Sequence, residues 1–205
     1  TIVKDRKNIK RNYIAGARIR CYTASRAFVQ FVLCIIQSAI LTLSYVGVAI
    51  VYGNELPETG ILTNYPMVEF YISIFLLMYA ADAMGIMISC LVKKEEAANV
   101  LAPYILIVQL IFSGILFAME GMADYISYVM ISRWGMEALG SIANLNDLPL
   151  KIQMTVPTVP HEFESRFDST PEHLLTVWAV LFGFIVVFLL VGNILLHRVS
   201  KDTKG

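Results

Sequence analysis

Four long apolar runs constrain this chain more than any other feature. They cover Ala27 to Val51, Val68 to Leu91, Ala97 to Met119 and Leu174 to Leu196, and each holds 23 to 25 residues. At about 1.5 Å of rise per residue, each run as a helix crosses a hydrocarbon core of roughly 30 Å. Inside lipid the backbone must satisfy its own hydrogen bonds, which a helix does within one segment. Composition points the same way. Hydrophobic residues make up 57% of the chain and charged residues 16%, with a mean hydropathy of +0.66. A soluble domain of this length needs more charge to cover its surface. The expected fold class is an all-α membrane protein with four transmembrane helices.

Charge sets the topology. The segment Thr1 to Arg26 carries eight basic residues and one acid, Asp5. Ile9, Tyr13 and Ala17 recur at helical spacing within it, so it reads as one or two amphipathic helices at the membrane surface. The loop Val92 to Glu96 adds two Lys, and the tail from His197 adds Arg198, Lys201 and Lys204. By contrast, Tyr52 to Met67 has no Lys or Arg, and Glu120 to His173 has eight acids against three basic residues. With both termini inside, 13 of the 16 basic residues lie on the cytoplasmic side, as the positive-inside rule requires. A fifth span at Met122 to Leu139 would place Arg133 and Glu137 near its centre, which is costly.

The outer segment, residues 120–173, divides in two. Ala123 to Ala143 is expected to form an amphipathic helical stretch broken near Ser132–Arg133. Asn144 to Pro171 holds four prolines and is expected to be irregular. The whole chain has no N-x-S/T acceptor, which fits a bacterial plasma membrane.

Inside the spans, Asp82 stands out. An intramembrane carboxylate is a functional hypothesis in its own right, as a cation site or a proton relay. Its bland counterpart is a carboxylate hydrogen-bonded to a neighbouring helix. Gln30, Gln37 and Gln109 read as interhelical hydrogen-bonders, and Glu69, at the outer end of the second run, reads as solvated. Ala81 and Gly85 form a small-xxx-small pair suited to close helix packing. The three cysteines, Cys21, Cys34 and Cys90, have no metal-ligand spacing and do not suggest a disulfide framework. The three His residues are scattered, so no metal site is expected. None of the twelve Gly residues is followed by Lys, so the chain lacks a phosphate-binding loop. No nucleophile sits in a recognisable base constellation. The chain itself is therefore not expected to be an enzyme.

Several stretches, in order, carry a family resemblance. They are Asp5-Arg6, Arg11-Asn12, Gly16, Tyr22 and Arg26; Leu91 to Pro103; Phe112-Ser113-Gly114-Ile115-Leu116; and Ser132-Arg133-Trp134 with Glu137-Ala138-Leu139. Together, over about 195 residues, they resemble the permease domain of ABC exporters of the G (White) subfamily and its bacterial relatives in the ABC type-2 permease family. Where the family has an acid after the second Arg, this chain has Asn12. The resemblance implies a six-span domain of which this chain holds the last four spans, an N-terminal coupling helix and an outer re-entrant segment containing Arg133, Trp134 and Glu137. It implies that Asp5, Arg6 and Arg11 couple to an ATP-binding domain, expected upstream with two further spans. Ile107 and Leu110 would face the substrate cavity, and Ile115 and Leu116 would form an apolar plug. ATP and Mg belong to the partner nucleotide-binding domain. A second permease domain, identical or not, and the lipid bilayer are the other expected partners, with no nucleic acid. The expected activity is export of an amphipathic or lipid-like substrate by alternating access. The alternatives are a four-span structural or sensory membrane protein and an ion-coupled carrier using Asp82.

Overall fold

The computed structural model describes residues 19–53, 57, 59–92, 95–114, 116, 121–147 and 164–201. Six α-helices occur among them: α1 (Ile19–Tyr52), α2 (Pro66–Leu91), α3 (Glu95–Ile111), α4 (Met122–Ser127), α5 (Ile131–Ile142) and α6 (Pro171–Lys201). Two 3₁₀ turns, Leu145–Asp147 and Ser165–Phe167, lie between α5 and α6. Thr23–Tyr52, Pro66–Leu91 and Pro171–Leu196 are each long and apolar enough to cross a membrane, and Glu96–Ile111 is a shorter apolar helix.

The hub is α2, which packs against α6, α1 and α5. Lipid tails are as apolar as Leu, so close fit and interhelical hydrogen bonds hold such a bundle together. On α6, Leu174, Val177, Leu181 and Ile185 are buried at spacings of three and four residues, which puts them on one stripe. They meet Phe70, Ala80 and Ala83 of α2 and Ile131, Ala138 and Ile142 of α5. The small Ala residues let the helix axes approach. Trp178 donates its indole N–H to the Ser73 hydroxyl at 2.8 Å, tying α6 to α2. The α1–α2 seam is aromatic. Phe31 meets Phe75 and Tyr79 edge-on, with centroids 5.3 and 5.5 Å apart.

The third apolar run departs from expectation. It is helical only to Ile111, short of Met119. The Ser113 hydroxyl donates to the Leu110 carbonyl at 2.7 Å, and Gly114 takes φ +82°, a left-handed conformation that a side chain disfavours. The Phe112-Ser113-Gly114 step thus follows the end of the helix. Ile115 and residues 117–120, in the remainder of the run, lie outside the described residues.

The outer segment also breaks elsewhere than expected. Its two helices are separated at Tyr128–Met130, ahead of Ser132–Arg133. Arg133 folds back onto Asp124, so the turn must fall between them. The second helix, α5, enters the bundle. A Cβ at Gly135 would lie 2.6 Å from Leu77 Cδ1, so a larger residue there would force Leu77 to move. Leu77 lies eleven residues into α2, or about 16 Å along its axis. Helix α5 therefore reaches well along α2 from its first residue.

Candidate functional site

Three places concentrate the chemistry. The first is the middle of α2. Asp82 is half-buried, and its Oδ2 accepts from the Gln30 amide at 2.6 Å and the Cys34 thiol at 3.0 Å, both on α1. One turn outward, Tyr79 donates its hydroxyl to the Ala27 carbonyl at 3.3 Å. Through its bonds to Gln30 and Cys34, Asp82 ties α2 to α1. Asp82 also lines a cleft of about 310 Å³ between α1, α2 and α3, with Gly85 and Asn99 among its walls. The small-xxx-small pair opens onto this cleft through Gly85, where an added Cβ would touch nothing within 4 Å.

The second place is α3, which has two faces. Tyr104, Ile105, Val108 and Gln109 line one wall of an apolar groove of about 840 Å³, and Val180, Phe184 and Val187 of α6 line another. Ile107 and Leu110 lie on the other face and are exposed, at 51% and 45%. The expected cavity residues therefore stand apart from the groove. Gln109 anchors the groove's outer end. Its side-chain carbonyl accepts from the Ser132 N–H at 3.0 Å, and its backbone carbonyl accepts from the Ser132 hydroxyl. It is the interhelical hydrogen-bonder its residue type suggested, between α3 and α5.

The third place is the outer end. Arg133 is 3% exposed. Its Nη1 donates to the Asp124 carboxylate at 2.9 Å, to the Asp124 carbonyl at 3.1 Å and to the Ser127 hydroxyl. Its guanidinium lies 3.6 Å from the centre of the Tyr128 ring, an arrangement that favours a cation. Trp134 donates its indole N–H to the Tyr128 carbonyl at 2.9 Å. Glu137, one turn along, stands 3.9 Å from Arg133 Nε. Arg133 Nε and Glu137 Oε2 are both buried without a hydrogen-bond partner. Burial pushes the Glu137 carboxyl above its ordinary value, against the opposing pull of Arg133, His173 and Arg166. The structure thus brings Arg133, Trp134 and Glu137 together and adds Asp124 and Tyr128. No helical spacing links Asp124 to Arg133, so only the turn at Tyr128–Met130 reveals the pair.

Glu69 corrects a sequence expectation. It is not solvated but 0% exposed. Its carboxylate accepts from the backbone N–H groups of Ile61, Leu62 and Thr63 at 2.9, 2.7 and 2.6 Å. It pins the outer loop onto the start of α2. Pro66 at the start of the helix places Glu69 in its first turn, but only the folded loop brings the three N–H groups onto it.

Of the apolar plug, Leu116 is exposed at 52%, and Ile115 lies outside the described residues, as do Asp5, Arg6, Arg11 and the rest of 1–18. No group of three or more His, Cys, Asp or Glu able to hold a metal occurs among the described residues.

A helical bundle with three helices long and apolar enough to cross a membrane is consistent with a membrane permease. The family described as ABC-2 type transporter matches residues 1–143, and this chain belongs to it. Its domain is the transmembrane part of such transporters and is not itself catalytic. Over 194 residues the chain is 26% identical to the ABC transporter ATP-binding/permease protein Rv1747 of Mycobacterium tuberculosis, a match that covers 91% of this chain and 21% of the relative. The chain thus spans about a fifth of that relative's length. No solved structure gives a significant match.

Proposed function

We propose that this chain is the membrane part of an ATP-driven exporter that moves an amphipathic or lipid-like substrate outward by alternating access. The observation that carries the reading is the ABC-2 type transporter match over residues 1–143. A relative whose name joins ATP-binding to permease supports it.

In this reading both termini are cytoplasmic and four spans cross the membrane, with α3 in the third. Two permease domains, identical or not, pair so that the exposed α3 faces carrying Ile107 and Leu110 meet across the substrate cavity. ATP and Mg are bound by a nucleotide-binding domain, expected in fusion upstream. Its closure reaches the permease through the basic segment containing Asp5, Arg6 and Arg11. Ile115 and Leu116 seal the cavity from the exit, because branched apolar side chains exclude water until closure displaces them. The Arg133, Trp134 and Glu137 cluster braces the outer exit. A buried arginine held by three oxygen acceptors and an aromatic face is a rigid support, since breaking any one contact leaves a charge poorly solvated.

Inside-out vesicles containing the full-length protein test the proposal. They are expected to accumulate a fluorescent amphipathic lipid analogue when ATP and Mg are added outside, and to stop when a non-hydrolysable ATP analogue replaces ATP. Flux that ignores ATP but follows an ion gradient would point to an ion-coupled carrier. Absence of any flux would favour the structural or sensory reading.

A further inference from the structure

The cleft beside Asp82 has the chemistry of a ligand site, and three observations say for what. Asp82 Oδ2 takes both donors from α1, at 2.6 and 3.0 Å, and Asp82 also lines the cleft. No ion pair to Asp82 forms among the described residues. Across the cleft stands Asn99. Pro103 lies four residues further along α3, inside the helix. It has no N–H, so the Asn99 carbonyl loses its helical partner. One wall thus carries a carboxylate, and the other is the helical turn in which the Asn99 carbonyl lacks its usual N–H donor.

Gln30, Ser89 and Asn99 also line the cleft, but the charged group among its described lining residues is the Asp82 carboxylate, which calls for a cationic donor. An ammonium carries three donors and no acceptor, and a positive charge compensates a carboxylate held away from water. A metal fits less well, because one carboxylate with amide oxygens is a sparse set for a divalent cation. About 310 Å³ far exceeds a bare monovalent ion. Gly85, Ile86, Ile88 and Ala102 add small or apolar wall and leave room for an alkyl body. Asp82 lies nine residues before the end of α2, about 13 Å along the axis from the loop joining α2 to α3. An amphipathic amine can enter from that end with its chain still in lipid.

We propose that the cleft between α1, α2 and α3 binds a protonated primary amine with an apolar body, its ammonium held between Asp82 and the Asn99 carbonyl. The amine comes either from a membrane lipid with an ethanolamine-type headgroup or from a free amphipathic amine. The site goes beyond the export reading, since binding is measurable whether or not ATP drives flux.

The test uses the full-length protein in phosphatidylcholine nanodiscs, whose choline headgroups carry no N–H donor. Dodecylamine and dodecanol are titrated at neutral pH and the melting temperature is followed. At ten times its dissociation constant, the amine is expected to raise the wild-type Tm by about 3 °C more than the alcohol does. Asp82→Asn is expected to abolish that difference. Ala102→Phe, which fills the cleft and leaves the carboxylate intact, is expected to do the same and carries the test if the Asp82 variant does not fold. Equal shifts from amine and alcohol in the wild type overturn the proposal. An amine-specific shift that survives either substitution overturns it as well, because it then reflects surface charge. Phosphatidylethanolamine nanodiscs separate the two sources. A weakened dodecylamine shift there identifies the lipid headgroup as a competing occupant, and an undiminished shift identifies the free amine.

Discussion

The two ends of α2 treat a carboxylate in opposite ways. At the outer end, Glu69 is fully buried and takes three backbone N–H groups from a loop six to eight residues before it. In the inner half, Asp82 is half-buried, takes two side-chain donors from a different helix, and faces a cleft. Glu69 is surrounded by its own chain and completes a turn. Asp82 holds two helices in register and keeps capacity to spare. The same contrast extends to the neighbours. Around the outer end, Arg133, Glu137, Ser127 and Ser141 are buried and α5 threads between α2 and α6. Along α3, Val100, Tyr104, Leu106 and Ile107 are exposed. The start of α2 and helix α5 share a packed polar cluster, whereas α3 leaves much of its apolar surface exposed.

Glu69→Ala should have the largest effect. It empties the buried Glu69 position and removes the shared acceptor of three backbone N–H groups in a half-exposed loop, a loss on the order of 3 kcal/mol. A thermal melt of the full-length protein should show a large fall in Tm. Gly135→Leu comes next. It forces a side chain into the Leu77 contact and should cost about 2 to 3 kcal/mol. Leu77→Ala in the same chain should recover part of this, because the two sites share one space. Asp82→Asn should be milder, about 1 kcal/mol, since an amide oxygen still accepts from Gln30 and interhelical hydrogen bonds in membranes are individually modest. If Asp82→Asn proves more damaging than Glu69→Ala, the contrast between the two ends of α2 is wrong.

A pH effect should follow from Glu137. Burial raises its carboxyl above the ordinary value of 4.5, so the folded state favours the neutral acid. Its stabilising contribution is then complete below 4.5 and is lost as pH rises through the raised value. Glu137→Gln should flatten that part of a Tm-against-pH curve. An unchanged slope would mean that Arg133 keeps the carboxylate charged throughout. The smallest stability effect should come from Ile107→Ala and Leu110→Ala, within about 0.5 kcal/mol, because both side chains are exposed. A marked drop in ATP-dependent flux with an unchanged Tm would place the substrate path on that face. Unchanged flux would remove it.

The apolar runs by themselves determined the membrane class and the helices α1, α2 and α6, because about 20 apolar residues in a row have no other stable home than lipid. The residue types of Gln30 and Gln109 were enough to expect interhelical hydrogen bonds, since an amide in lipid must find a partner. Other features were decided only in three dimensions. The Ala97 to Met119 run is uniformly apolar, and hydropathy does not register the left-handed Gly114 that follows the end of its helix. Glu69 looks like any acid at a helix start until the loop folds over it. Arg133 and Asp124 are nine residues apart, a spacing with no periodic meaning, and only a turn at Tyr128–Met130 makes them a pair. Hydropathy and spacing report what a segment does alone, in water or in lipid. Burial of a charge, closure of a turn and the opening of a cleft depend on which segments arrive beside it, and that is a property of the packed bundle.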